Sequence, residues 1–224
     1  VLTYKIAHLL KTKAARHENI LAVTFTNKAA SEMKNRVAKL LNDERINSSY
    51  SPLFWMGTFH SICLKILKQN ITDSGLDPNF LIYDTDDQLD AVKESLKKFN
   101  LKDDMFNPKK ILAQISNAKN QLLTPEKFEH FSRGFIQETV VKVYREYEKI
   151  LKANNALDFD DLIMRVVQLF EGDPQILEQY QDQFKYILID EYQDTNHAQY
   201  KFANLLAQKH RNICVVGDDA QSIY

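Results

Sequence analysis

Glycine and proline are scarce, five of each in 224 residues, and cysteine is scarcer still at two. So few chain breakers exclude a loop-rich or low-complexity protein and leave most of the chain for regular elements with short connections. Cys63 and Cys214 lie far apart in apolar surroundings. That excludes a disulfide framework and points to reduced thiols and a cytoplasmic location. The six histidines are scattered, without the Cys/His spacing of a zinc site. No stretch approaches the roughly 20 apolar residues of a membrane-crossing helix, so no membrane partner is expected. The opening "VLTYKIAHLLKTKAARHEN" has no signal-peptide cleavage pattern. Excess charge is lacking too: the net is −1, with 11 Lys/Arg against 8 Asp/Glu in residues 1–86 and 14 against 16 in 87–181. Any contact with nucleic acid must come from local placement.

What is present is hydrophobic periodicity of two kinds. "NILAVTFTN" (19–27), "PLFWMGTFH" (52–60), "FLIYDTDDQ" (80–88), "YILIDE" (186–191) and "NICVVGDD" (212–219) read as strands. The third runs into an acidic helix cap, Asp84 or Thr85. Helical periods separate them, and from about 87 to 181 the pattern is almost wholly helical, as in "ETVVKVYREYEKILKANN". Strands alternating with helices at both ends, around a helical block, predict a parallel α/β sheet carrying an all-α insertion. The boundaries so drawn are 1–86, 87–181 and 182–224.

The stretch "YILIDEYQDTN" (186–196) drives an apolar strand straight into Asp190 and Glu191, with Asp194 close behind. A fully apolar strand belongs inside a parallel sheet, and ligands of such sheets lie beyond the carboxyl ends of the strands. Thr24–Asn27, Gly57-Thr58 and Gly217-Asp218 end three other predicted strands, so four ends carry small or polar residues. Crowded carboxylates call for a counter-charge, and Mg²⁺ takes one or two carboxylates together with water and phosphate oxygens. Asp190 could hold such an ion while Glu191 orients or deprotonates a water. The plainer alternative is that both acids cap the next helix, a role that also suits Asp194-Thr195. Phe25, flanked by threonines, could stack on a base or be an ordinary strand aromatic. His60 could face a ligand or be a satisfied hydrogen-bonding group, and Trp55 and Phe59 read as core.

"ILIDEYQDTN" resembles motif II of the UvrD/Rep/PcrA-type superfamily 1 DNA helicases. "VVGDDAQSIY" is similar to their motif III, "AVTFTNKAASEM" to motif Ia, and "GTFHSICLKIL" to the motif after the next strand. "LDFDDLIM" and "ISNAKNQLLTPEKF" resemble PcrA-like members of that family, so the likeness runs the length of the chain. It implies a RecA-like P-loop NTPase domain, 1A (1–86 and 182–224), interrupted by a helical subdomain, 1B (87–181). It implies ATP and Mg²⁺ as cofactors, with Asp190 on the metal, Glu191 activating water and Gln221 sensing the γ-phosphate. Gln193 and Asp194 would couple motifs II and III. Thr24, Phe25, Thr26, Asn27, Thr58, His60 and Tyr224 would line the path of single-stranded DNA.

The resemblance implies an ATP-dependent 3′–5′ helicase of DNA repair or replication, acting on single strands and single–double strand junctions with accessory proteins. Two alternatives stay open: the motor region of a RecB- or AddA-like helicase–nuclease, and a non-catalytic DNA-binding remnant. The glycine-rich loop G-x-x-x-x-G-K-[ST] is missing: glycines 57, 75, 134, 172 and 217 never precede lysine. Relatives carry that loop directly before a segment like "VLTYKIAHLL". The expectation is a fragment starting just past it and ending before the second RecA-like domain, inactive by itself and exposing apolar surface where the preceding strand would pack.

Overall fold

The computed structural model describes residues 1–42, 55–101, 105–218 and 220. In chain order its elements are α1 Leu2–Lys11, β1 Ile20–Thr24, α2 Asn27–Leu41, β2 Trp55–Thr58, α3 Phe59–Gln69, β3 Leu81–Ile82, α4 Thr85–Lys98 and α5 Pro108–Asn120. There follow α6 Pro125–Phe131, α7 Phe135–Ala153, β4 Ala156–Leu157, α8 Phe159–Gly172, α9 Pro174–Gln183, β5 Tyr186–Ile189, α10 His197–Ala207 and β6 Ile213–Val215. The scarce prolines are well placed. Pro108, Pro125 and Pro174 open α5, α6 and α9 behind Asn107, Thr124 and Asp173, whose side chains accept first-turn N–H groups.

Packing divides the chain into two compact units, Val1–Ile66 with Val167–Tyr224, and Leu67–Val166. Both junctions fall inside helices, α3 and α8, and so lie upstream of the 86/87 and 181/182 boundaries drawn from the sequence. Two pairings account for the shift. β3 joins β4 in a two-stranded parallel sheet within the second unit, rather than extending the main sheet. α9 packs on α10 in the first.

The first unit is a four-stranded parallel sheet in the order β2-β1-β5-β6. β1 is buried along its whole length and pairs on both sides, as its uninterrupted apolar run requires. Strand alternation sends Ile20, Ala22, Met56 and Leu188 into one cluster with Leu2, Ile6 and Leu9 of α1 and Met33 and Val37 of α2. A second, aromatic cluster joins Trp55 to Phe184 at 4.9 Å and Phe59 to Phe202 at 6.3 Å, with Phe170 stacked on Phe202. Trp55 and Phe59 are therefore core, as their patterns predicted. Cys63 is buried and Cys214 half-buried, both as free thiols. Among the described residues β6 forms one edge of the sheet, and it leaves Ile213 40% and Val215 44% exposed.

The second unit is a helical bundle on Val92 and Leu96 of α4, Ile111 and Ile115 of α5, and Val140, Val143, Tyr144 and Tyr147 of α7. Asp84 is the cap of α4, its carboxylate accepting from Asp86 and Asp87 N–H. Within this bundle Lys119 is fully buried, its Nζ 2.7 Å from Asp158, 2.8 Å from Asp161 and 2.7 Å from Glu148. Tyr147 donates its hydroxyl to the same Asp158 at 2.8 Å. Asp158 and Asp161 also exchange backbone N–H bonds, closing the first turn of α8.

Candidate functional site

Because all four strands run parallel, their carboxyl ends share one rim, and β1 and β5 set its centre. Val23 pairs with Ile189, so Thr24 and Asp190 follow side by side, and Asp190 N–H bonds the Val23 carbonyl at 3.0 Å. On the other side Thr24 is level with Thr58. The rim thus collects Thr24, Thr58, Asp190 and Glu191 from three neighbouring strands. Thr58 Oγ1 accepts from Ser61 N–H at 3.2 Å, starting α3, and Ser61 donates back to the Thr58 carbonyl at 2.9 Å. A Cβ at Gly57 would run into Ser61 Oγ and turn it away from the Thr58 carbonyl.

Neither Asp190 nor Glu191 enters an ion pair among the described residues. Burial, and then the adjacent Glu191 charge, push the Asp190 carboxyl above its ordinary value; a backbone hydrogen bond and Arg36 of α2 pull the other way. Beside it Thr24 Oγ1 is buried without a hydrogen-bond partner among the described residues. A carboxylate in no ion pair among the described residues, next to an orphaned hydroxyl, fits a small hard cation and its waters. Glu191 does not act as the helix cap that the alternative reading required: it sits in the left-handed region at φ +51°, makes no capping bond, and precedes a short 3-10 turn at Tyr192–Asp194. Nor do Asp194 and Thr195 cap α10. Asn196 does so, accepting from Gln199 N–H at 2.9 Å while Gln199 accepts from Asn196 N–H at 3.0 Å.

Gln193 links two strand ends. Its Nε2 donates to Glu191 Oε2 at 2.7 Å, and its Oε1 accepts from Asp218 N–H, just past β6, at 3.0 Å. Asp194 is peripheral to this link, 3.4 Å from the same amide nitrogen. Gly217 permits the approach: a Cβ there would lie 2.6 Å from Gln193 Oε1 and 3.2 Å from its backbone nitrogen.

Phe25 is half-buried, its ring edge-on to Phe59 at 5.5 Å. Thr26 caps α2 by accepting from Ala29 N–H at 3.1 Å, which leaves Asn27 exposed in the first turn. His60 is half-buried at the start of α3, and burial lowers its pKa, favouring the neutral ring. Gln221 and Tyr224 lie outside the described residues. Arg36, whose charge reaches Asp190, was not singled out in the sequence; its pairing with Glu32 at 3.2 Å on a helix surface resembles any i, i+4 ion pair.

The family model for the UvrD/REP helicase N-terminal domain matches residues 1–224. Curated proteins similar to this chain include the ATP-dependent DNA helicase PcrA of Staphylococcus epidermidis (strain RP62A) and that of Bacillus subtilis (strain 168). Each is 48% identical over 224 residues, covering 100% of this chain and 30% of the relative. The PcrA of Staphylococcus aureus (strain Mu50) is 47% identical over the same span. The chain therefore spans about 30% of the length of the curated relatives it matches.

Proposed function

This chain belongs to the UvrD/REP helicase N-terminal domain family, and on that premise we propose that it supplies one wall of the nucleotide site and part of the strand path of an ATP-dependent 3′–5′ DNA helicase. The first unit acts as domain 1A and the second as domain 1B, in a cytoplasmic protein of DNA repair or replication that works at single–double strand junctions with accessory proteins. The observation that carries the reading is the rim: four parallel strand ends in register, with an unpaired Asp190–Glu191 at its centre.

In this proposal Asp190 would hold the magnesium ion that accompanies ATP. That ion, when bound, draws negative charge from the phosphate oxygens. Glu191 would take a proton from an attacking water. Gln193 keeps the Glu191 carboxylate in place and ties it to the β6 end, which leads into Gln221, the γ-phosphate sensor of the proposal. On the β1 and β2 ends, Phe25 offers a ring for an unpaired base. Thr24, Thr26, Asn27, Thr58 and His60 would line the backbone path, with Tyr224 at its margin. Lacking a glycine-rich Gly-Lys loop, the 224-residue polypeptide by itself is expected to show no DNA-stimulated ATPase.

The test uses the intact protein. Glu191→Gln should lower DNA-stimulated ATP hydrolysis by roughly 10²–10⁴-fold, the usual contribution of a positioned general base, while nucleotide binding is retained. Wild-type hydrolysis rates in that variant would refute the assignment.

A further inference from the structure

We propose that the second unit carries a binding site for a free α-amino acid with an apolar side chain, in a cavity lined by the last turns of α7 and the first turns of α8. The site uses no residue of the strand-end rim and does not rest on the family reading. Two stretches that the proposed function leaves unused, "ISNAKNQLL" and "LDFDDLIM", lead to it. They meet at Lys119, whose Nζ lies 2.8 Å from Asp161 and 2.7 Å from Glu148 of α7. The carboxylates of Asp161 and Glu148 therefore stand side by side. Both acids also line a cavity of about 390 Å³, whose other walls come from the 74–77 turn after α3 and from Asn155, Ala156 and Leu157. That volume is on the scale of a small-molecule pocket, roughly 300–1,000 Å³.

The lining carries both signs of charge. Asp77, Glu148 and Asp161 supply the acids and Lys152 and Arg165 the bases, and these are all of its ionisable groups. Lys152 follows Glu148 by four residues on α7, and Arg165 follows Asp161 by four on α8, so each of those acids has a base one turn along its own helix. The bases are not used up. Lys152 is exposed and enters no ion pair among the described residues. Arg165 approaches Glu148 only at 3.8 Å and makes no hydrogen bond among them. Asp77 accepts from Asn79 N–H within its own turn. Behind the acids, Lys119 and Asp158 are buried and paired at 2.7 Å. Leu76, Phe80, Leu151 and Leu157 make the apolar part of the wall.

A simple amine in this cavity meets Arg165 and Lys152, and a simple carboxylate meets Glu148 and Asp77; a zwitterion answers both signs at once. Its carboxylate takes the Arg165 guanidinium in a two-point contact, its ammonium takes Glu148 and Asp161, and its side chain lies on the leucines and Phe80. A metal ion is a poor occupant, because no three His, Cys, Asp or Glu among the described residues are placed to hold one. The Asp161 carboxyl is faced by Lys119, Tyr144, Tyr147, Glu148 and Asp158, with Arg165 a turn away, and it keeps a proton up to about pH 7. The arriving ammonium displaces that proton, so uptake tightens as pH rises through that value.

Titration calorimetry on the intact protein tests this with L-leucine and L-phenylalanine, each compared with its decarboxylated amine and its deaminated acid. One of the two amino acids at least should bind and saturate at a single equivalent. Its amine and its acid should bind roughly 10–100-fold more weakly, the loss of a hydrogen-bonded charge contact. Arg165→Gln with Lys152→Gln, at side chains that reach solvent, should weaken the amino acid by a similar factor and leave the amine no weaker than before. Leu76→Trp, which fills the cavity, should abolish binding, with circular dichroism melts confirming that both variants are folded. If neither amino acid binds, the cavity holds water alone and the inference is overturned. An amine that binds as tightly as its amino acid reduces the site to a cation pocket and overturns it too. So does amino-acid binding that the Arg165 and Lys152 substitutions leave unchanged, because the ligand then sits elsewhere. None of these outcomes bears on the helicase reading, whose test is at Glu191.

Discussion

Gln193 shows how much one side chain can do at the edge of a parallel sheet. Its amide has a donor end and an acceptor end, and each is used: one on the Glu191 carboxylate, the other on the Asp218 N–H. Glutamate in its place would repel Glu191, and alanine would leave both partners to water. Gln193→Ala in the intact protein should therefore lower the turnover of DNA-stimulated hydrolysis by roughly 10–100-fold. That is the equivalent of about 1.5–3 kcal/mol for a hydrogen bond to a charged group. Nucleotide affinity should change far less, and steady-state kinetics with separate kcat and KM values checks the difference. Of this geometry the sequence disclosed the ends of the strands, because apolar runs stop where Asp190 and Gly217 begin. It did not disclose the reach of Gln193 across to Asp218. That contact depends on β5 and β6 being neighbours, and on a glycine whose missing Cβ leaves room for the Gln193 side chain and backbone.

Among elements, the bundle around Lys119 is the least legible from periodicity. A lysine on an amphipathic helix is ordinarily solvated, and nothing in "ISNAKNQLL" sets Lys119 apart from Lys109 or Lys110; its partners lie some 30 to 40 residues away on α7 and at the start of α8. The strand at 80–88 was legible, but its partner β4 was not, because a two-residue strand has no period to read. Lys119 is the one buried ammonium among Asp158, Asp161 and the part-exposed Glu148, which Arg165 also approaches at 3.8 Å, so the two buried aspartates share one cation. Burial foremost, and the neighbouring acids after it, raise the Asp161 carboxyl to about 7 despite Lys119, while Lys119 and hydrogen bonds keep Asp158 below its usual value against the cost of burial.

The sign of the pH effect follows. Between about pH 4 and 7 the native protein holds a proton on Asp161 that the unfolded chain has released. Its contribution is thus full below the unfolded pKa and lost as pH rises through about 7. Urea midpoints across that window should fall with rising pH, and Asp161→Asn should flatten the slope. Lys119→Met, which strands the buried acids, should cost the second unit about 3–5 kcal/mol, measured by the same denaturation.

At the scale of the whole molecule, the two units draw on the chain in different ways. The helical bundle is one unbroken stretch, Leu67–Val166, whereas the sheet joins β1 to β5 across more than 160 residues of sequence. During synthesis from the amino terminus, β1 and β2 emerge long before the partner that completes them, and the bundle between them can close on its own nearby contacts first. Long-range parallel pairing is intrinsically slow and leaves its strands open to misassociation in the interval. In pulsed hydrogen exchange during refolding, amides of α4, α5 and α7 should accordingly gain protection before those of β1. The inserted bundle then acts as a timekeeper, setting how long the half-built sheet stays unsheltered on the ribosome.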